Sequence, residues 1–130
     1  MTSTRAFVVH EGDFPSEVWE QDVPGDGVRW RTLTSADRTP THALTTGILE
    51  MAPGARLALH RHAPPEVYYI CEGNAVVTLD GADHPVGAGA AVFIPGHTAH
   101  AVVNPGPGRL RLFYSFPVDS YHEIEYFMLE

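Results

Sequence analysis

Gly54-Ala-Arg-Leu-Ala-Leu-His60-Arg-His62-Ala-Pro-Pro-Glu66-Val-Tyr68-Tyr-Ile-Cys71-Glu-Gly73 is the stretch whose reading decides the fold. Leu57 to His62 has the length and composition of a short strand, and Ala63-Pro64-Pro65 interrupts it. Residues i and i+2 of a strand point to the same face, so His60 and His62 present two imidazoles side by side. The chain reverses at Pro64-Pro65 and returns as Glu66 to Cys71, dense in Val, Tyr and Ile. By the same period-2 rule Glu66 and Tyr68 share a face. Glu72-Gly73-Asn74 then forms a tight hairpin connection.

Working outward, the same grammar repeats. Val28 to Thr34 reads as a strand with Trp30 between Val28 and Thr32 on one face, and His42 to Met51 is threonine-rich and β-prone. Ala75 to Leu79, His84 to Val86, Ala91 to Ile94 and His100 to Val103 follow with Gly, Pro or Asp between them. Arg109 to Phe116 alternates, with Leu110, Leu112, Tyr114 and Phe116 on one face, and His122 to Leu129 is a last extended segment. Little helix is expected: Pro15 to Glu20 allows one short turn, and Gly25-Asp26-Gly27 reads as a loop. Many short strands at this spacing specify an all-β sandwich or small barrel in a single domain. Eleven prolines and twelve glycines supply its turns.

His100 opens a strand after a Pro-Gly loop, about thirty residues beyond Glu66. Three imidazoles and a carboxylate suit one divalent first-row transition metal, such as Fe, Mn, Ni, Co or Zn, with positions left for water or substrate. The other histidines read more simply. His10 and His84 are surface or turn residues, His42 starts a strand, and His122 lies among acidic neighbours. His97 is nearer the candidate site. Cys71, the one cysteine, reads as a small core residue and excludes an internal disulfide.

Composition removes several function classes. The formal net charge of −8 opposes binding to a nucleic-acid backbone. All eight basic residues are arginine, so no lysine is present to form a Schiff base. No apolar run approaches the ~18 residues of a membrane span, and residues 1–10 lack a signal-peptide pattern, which predicts a cytoplasmic protein without a membrane partner.

Residues 54–73 fit the first cupin motif at every fixed position, and Gly89-Ala-Ala-Val-Phe93-Ile-Pro95-Gly-His97-Thr-Ala-His100-Ala-Val-Val-Asn104 resembles the second. One departure stands out. The glycine usual two residues after the proline is His97 here, with glycine displaced to Gly96. The resemblance implies a conical double-stranded β-helix, a jelly-roll barrel over residues 1–130, with His60, His62, Glu66 and His100 as metal ligands inside its mouth. It implies a homodimer as well.

A second resemblance runs from about residue 28 to 127. Val28-Arg-Trp30, Glu50-Met-Ala-Pro-Gly54, the His60-to-Tyr68 segment, Phe113-Tyr-Ser-Phe116-Pro-Val-Asp119 and Glu123-Ile-Glu-Tyr126-Phe127 look like the small single-cupin dimethylsulfoniopropionate lyases. In that family the metal holds the carboxylate of a small-molecule substrate, and a tyrosine removes the α-proton. Dimethyl sulfide then leaves the β carbon to give acrylate. Tyr68 and Tyr126 match its catalytic tyrosines. Trp30, Phe93, His97 and Tyr114 are the expected substrate-binding residues. Fold does not fix chemistry. A metal-dependent aromatic polyketide cyclase, with a roomier pocket lined by Trp30, Phe93 and Tyr114, is an alternative. An iron dioxygenase and a non-catalytic metabolite-binding cupin are two more.

Overall fold

The computed structural model describes residues 3–18 and 27–130. Among these lie ten strands: Val28–Thr34 (β1), Thr45–Met51 (β2), Arg56–Arg61 (β3), Glu66–Glu72 (β4), Asn74–Leu79 (β5), Ala82–Gly87 (β6), Ala91–Ile94 (β7), His100–Val103 (β8), Leu110–Phe116 (β9) and Phe127–Met128 (β10). They form two antiparallel five-stranded sheets, ordered β1-β2-β9-β4-β7 and β10-β3-β8-β5-β6, and the molecule is a jelly-roll barrel. No helix among the described residues is long and apolar enough to cross a membrane.

Side-chain alternation does the building. Along β9, Leu110, Leu112, Tyr114 and Phe116 are buried while the residues between them are partly exposed. Along β4, Glu66, Tyr68 and Ile70 point inward and Val67, Tyr69 and Cys71 point out. β9 pairs with β4 so that Tyr68 meets Tyr114 and Ile70 meets Leu112. The core draws on both sheets, with Leu57, Val77 and Val102 facing Ile70, Ile94 and Leu112 in one cluster. Each such fully buried side chain contributes roughly 1.5–3 kcal/mol of hydrophobic stabilisation. β6 is an edge strand with exposed residues, and so it tolerates Pro85, which cannot donate to a ladder.

Gly47 on β2 marks a close approach. A side chain there would run into the Tyr114 ring and hydroxyl, so only glycine lets Tyr114 lie flat across β2.

Three expectations need correction. Cys71 is exposed rather than core, because it follows the fully buried Ile70 on a strand of period 2. The segment from His122 to Leu129 is not one extended piece. Its start lies in a 3-10 turn over Tyr121–Glu123, and only Phe127–Met128 pairs, with Arg61 and His60 of β3. The Pro15-to-Glu20 turn is not helical where it is described: Glu17 bridges Trp30, and Glu11–Asp13 forms a 3-10 turn instead. Residues 19–20 of that turn, and Gly25 and Asp26 of the expected loop, lie outside the described residues.

Candidate metal centre and its cavity

The two sheets meet at four side chains. His60 on β3 pairs directly with His100 on β8, which sets their rings 4.1 Å apart between centroids. His62 lies one residue beyond β3, and Glu66 is the first residue of β4 in the other sheet. The Ala63-Pro64-Pro65 turn carries the chain across. The loop after β7 closes over that turn: the His97 amide donates to the His62 carbonyl at 2.7 Å, and Gly96 passes so near the Ala63 carbonyl that no Cβ fits. His97 itself has φ +63°, the left-handed region a glycine would occupy freely. The shifted glycine of the second motif thus keeps the close approach at 96 and leaves the strained position to a histidine.

All four side chains are buried; Glu66 is 5% exposed and the histidines 1% or less. Each imidazole places Nδ1 against a backbone carbonyl two residues away: His60 on Ala58 at 2.7 Å, His62 on Pro64 at 2.9 Å and His100 on Thr98 at 2.7 Å. A carbonyl only accepts, so Nδ1 carries the hydrogen and the neutral ring offers its Nε2 lone pair. One ligand nitrogen from each of the three rings lies within 4.8 Å of the other two. Glu66 Oε1 lies 3.2 Å from His62 Nε2 and 3.4 Å from His100 Nε2, and the buried His100 Nε2 has no hydrogen-bond partner among the described residues. Burial and the neighbouring His100 push the His60 imidazole down to about 3, so that ring is neutral at physiological pH. Neutral lone pairs and a carboxylate aimed at one point satisfy one another only around a cation. The donor set therefore fits the metal that the sequence implies.

A cavity of about 380 Å³, counted out to its open mouth, adjoins this group. His60 and Glu66 reach into it. The rest of its wall is largely aromatic, with Trp30, Tyr68, Tyr114, Phe116, Tyr121 and Tyr126, and no arginine lines it. The Tyr126 ring packs 5.5 Å from His60 and 5.3 Å from His62, and Tyr68 lies 6.4 Å from His100. Burial, with Glu66 and Tyr121 nearby, raises both phenols well above the ordinary tyrosine value, and burial raises Tyr114 too.

The structure brings together His60, His62, Glu66, His100, Tyr68, Tyr126, Trp30 and Tyr114. It does not bring Phe93 or His97 to the cavity. Phe93 is 63% exposed on β7, between the buried Val92 and Ile94, and pairs outward with Val67. His97 is exposed on its loop. Sequence reading missed Tyr121 and Phe116 as lining residues. Phe116 was legible from the β9 alternation. Tyr121 sits on a 3-10 turn, where no periodicity points to it.

Comparison with known proteins bears on the family and the fold. A family model described as the cupin domain matches residues 47–116. The chain is 44% identical over 99 residues, 76% of its length, to dimethylsulfoniopropionate lyase DddW of Ruegeria pomeroyi, and this match spans only 64% of that relative. Among solved structures, an RmlC-like cupin from Shewanella frigidimarina superposes with TM-score 0.73 at 24% identity, covering 95% of this chain and 98% of its own. The polyketide cyclase RemF from Streptomyces resistomycificus superposes with TM-score 0.79 at 21% identity, covering 97% and 88%. Both structural likenesses show the fold. With two antiparallel sheets, both motifs and a matching family model over more than half its length, the chain belongs to the cupin family.

Proposed function

We propose that this protein is a metal-dependent lyase that takes the α-proton from a small carboxylate and expels a leaving group from the β carbon, with dimethylsulfoniopropionate as substrate. The observation that carries the reading is the contact of Tyr126 with two of the proposed ligands, inside a small, arginine-free aromatic cavity. The 44% identity to DddW supports it.

A divalent cation held by His60, His62, Glu66 and His100 supplies the positive charge that a carboxylate needs here, and acts as a Lewis acid toward the charge that develops at the α carbon. The chain's own residues do the rest. Tyr126 is favoured as its phenolate beside a bound cation, its hydroxyl proton having gone to solvent; that phenolate oxygen then accepts the α-proton as the C–H bond breaks, the C=C bond forms and the C–S bond electrons leave with the sulfide. Tyr68 lines the same cavity beside His100 and is the second candidate for a proton-handling group. The aromatic faces of Trp30, Tyr114 and Phe116 suit a methylated onium cation, which aromatic rings attract without a counter-charge. They also keep water from the reacting atoms.

The outer placement of Phe93 favours this reading over the cyclase alternative. Phe93, expected to widen a polyketide pocket, is on the outer face.

The test is a headspace assay for dimethyl sulfide across Fe, Mn, Ni, Co and Zn forms. Release with at least one metal, lost on His100→Ala, supports the reading. No release from any fully loaded form overturns it. We propose further that two copies pair through the apolar outer surface of Val67, Tyr69 and Phe93, each at least 38% exposed. Sedimentation of Phe93→Glu as a monomer beside a dimeric wild type tests this, and a monomeric wild type refutes it.

A further inference from the structure

Tyr126 does not stand alone in the cavity. Its hydroxyl donates to the hydroxyl of Tyr121 at 3.3 Å, and the two rings lie 6.2 Å apart. Tyr121 in turn stacks on Trp30, with centroids 6.1 Å apart and planes 29° from parallel.

The backbone under Tyr121 is built to hold it. Its amide donates to the Oγ of the fully buried Ser35 at 2.9 Å. The preceding turn is fastened from two sides: the Ala36 amide donates to the Asp119 carbonyl at 2.6 Å, and Thr45 Oγ1 donates to the Val118 carbonyl at 2.9 Å. The Tyr126 segment is held by its two-residue β10 pairing and by a backbone bond from Leu129 to Leu59 at 2.9 Å. An anchored turn thus carries the partner of the proposed base.

We propose that Tyr121 is a positioning residue for Tyr126: its hydroxyl, fixed by the Trp30 stack and the Ser35 anchor, holds the Tyr126 oxygen at the point where the substrate's α-hydrogen arrives. The inference rests on the lyase reading. A hydroxyl both donates and accepts, so the contact persists whether or not the Tyr126 oxygen carries its hydrogen. Precise placement of a base is a large part of its value, because reaction needs the atoms within about 3–3.5 Å and aligned. The proposal also gives Trp30 a role on this chain beyond lining the cavity, as the surface against which Tyr121 is braced.

The test uses metal-loaded full-length protein and three variants: Tyr121→Phe, Tyr126→Phe and the double variant. Phenylalanine keeps the Trp30 stack and removes only the hydroxyl. Tyr121→Phe should lower kcat for dimethyl sulfide release by roughly fivefold to tenfold, the loss of one neutral hydrogen bond, with KM and metal content unchanged. In the Tyr126→Phe background the same change should cost nothing further. Wild-type kcat in Tyr121→Phe, a rise in KM alone, or multiplicative losses in the double variant would each overturn the assignment. The lyase reading fails differently, through a fully active Tyr126→Phe or a wild type that releases no dimethyl sulfide. In that case a crystal structure of Tyr121→Phe decides the positional claim. A displaced or multiply placed Tyr126 hydroxyl upholds it, and an unmoved one ends it.

Discussion

Glu66→Gln should stabilise the metal-free protein and destabilise the metal-loaded one. The Nδ1 hydrogens of His60, His62 and His100 are committed to carbonyls, which leaves each Nε2 an acceptor. Without a cation the buried Glu66 carboxyl faces two of those acceptors, at 3.2 and 3.4 Å. A glutamine amide in the same place donates to one or both nitrogens and carries no charge. Satisfying such orphaned acceptors contributes about 1–3 kcal/mol. For a domain of this size that raises Tm by roughly 3–12 °C. With metal the sign reverses. An anionic ligand becomes a weak neutral one, and a protein saturated at 100 times Kd loses up to about 2.7 kcal/mol of linked stabilisation if affinity falls a hundredfold or more. The assay is calorimetric melting of both proteins at pH 8, in chelator and in excess Mn. A variant that melts below wild type in chelator refutes the reasoning. So does a wild type whose Tm ignores the metal.

Three further outcomes follow from particular residues. Tyr126→Phe should retain its metal while turnover falls by about 10²–10⁴-fold, the usual contribution of a general base; elemental analysis beside the headspace assay checks both halves. Gly47→Ala should destabilise by about 1–3 kcal/mol, the usual cost of overpacking, because the new methyl meets both Tyr114 and the Arg31 backbone carbonyl; a thermal melt reads this, and an unchanged Tm refutes the close approach. Arg111 donates to Glu11 and holds its carboxyl below the ordinary 4.5, so the tie between residues 11–13 and β9 is whole above that pH and lost as pH falls through the lowered folded value; hydrogen exchange at the Asp13 amide, which donates to the His10 carbonyl, should accelerate in that acid window.

The barrel was legible because each strand alternates. Val28–Thr34, Ala91–Ile94 and His100–Val103 lie where the residue pattern puts them. The ligand convergence was legible for the same reason, since period 2 sets His60 beside His62 and the two motifs carry the spacing. Phe93 was misassigned despite that rule. Its neighbours Val92 and Ile94 are the inward pair, so an apolar type in an apolar run is no guide to its face. Tyr121 was invisible for a different reason. Its place depends on a 3-10 turn and on Ser35, 86 residues earlier in the chain, a long-range contact that no local pattern encodes.

His60 and His100 belong to one sheet and Glu66 to the other. An ion shared among them would act as a rivet through both walls of the barrel, set at the rim, while at the far end the buried Asn104 amide donates across to the Met51 carbonyl of the other sheet at 2.8 Å. Emptying the centre would therefore do more than silence it. The Ala63-Pro64-Pro65 turn, fastened by the His97 amide, would be left to hold the walls together there, and the vessel would loosen where a substrate must come in.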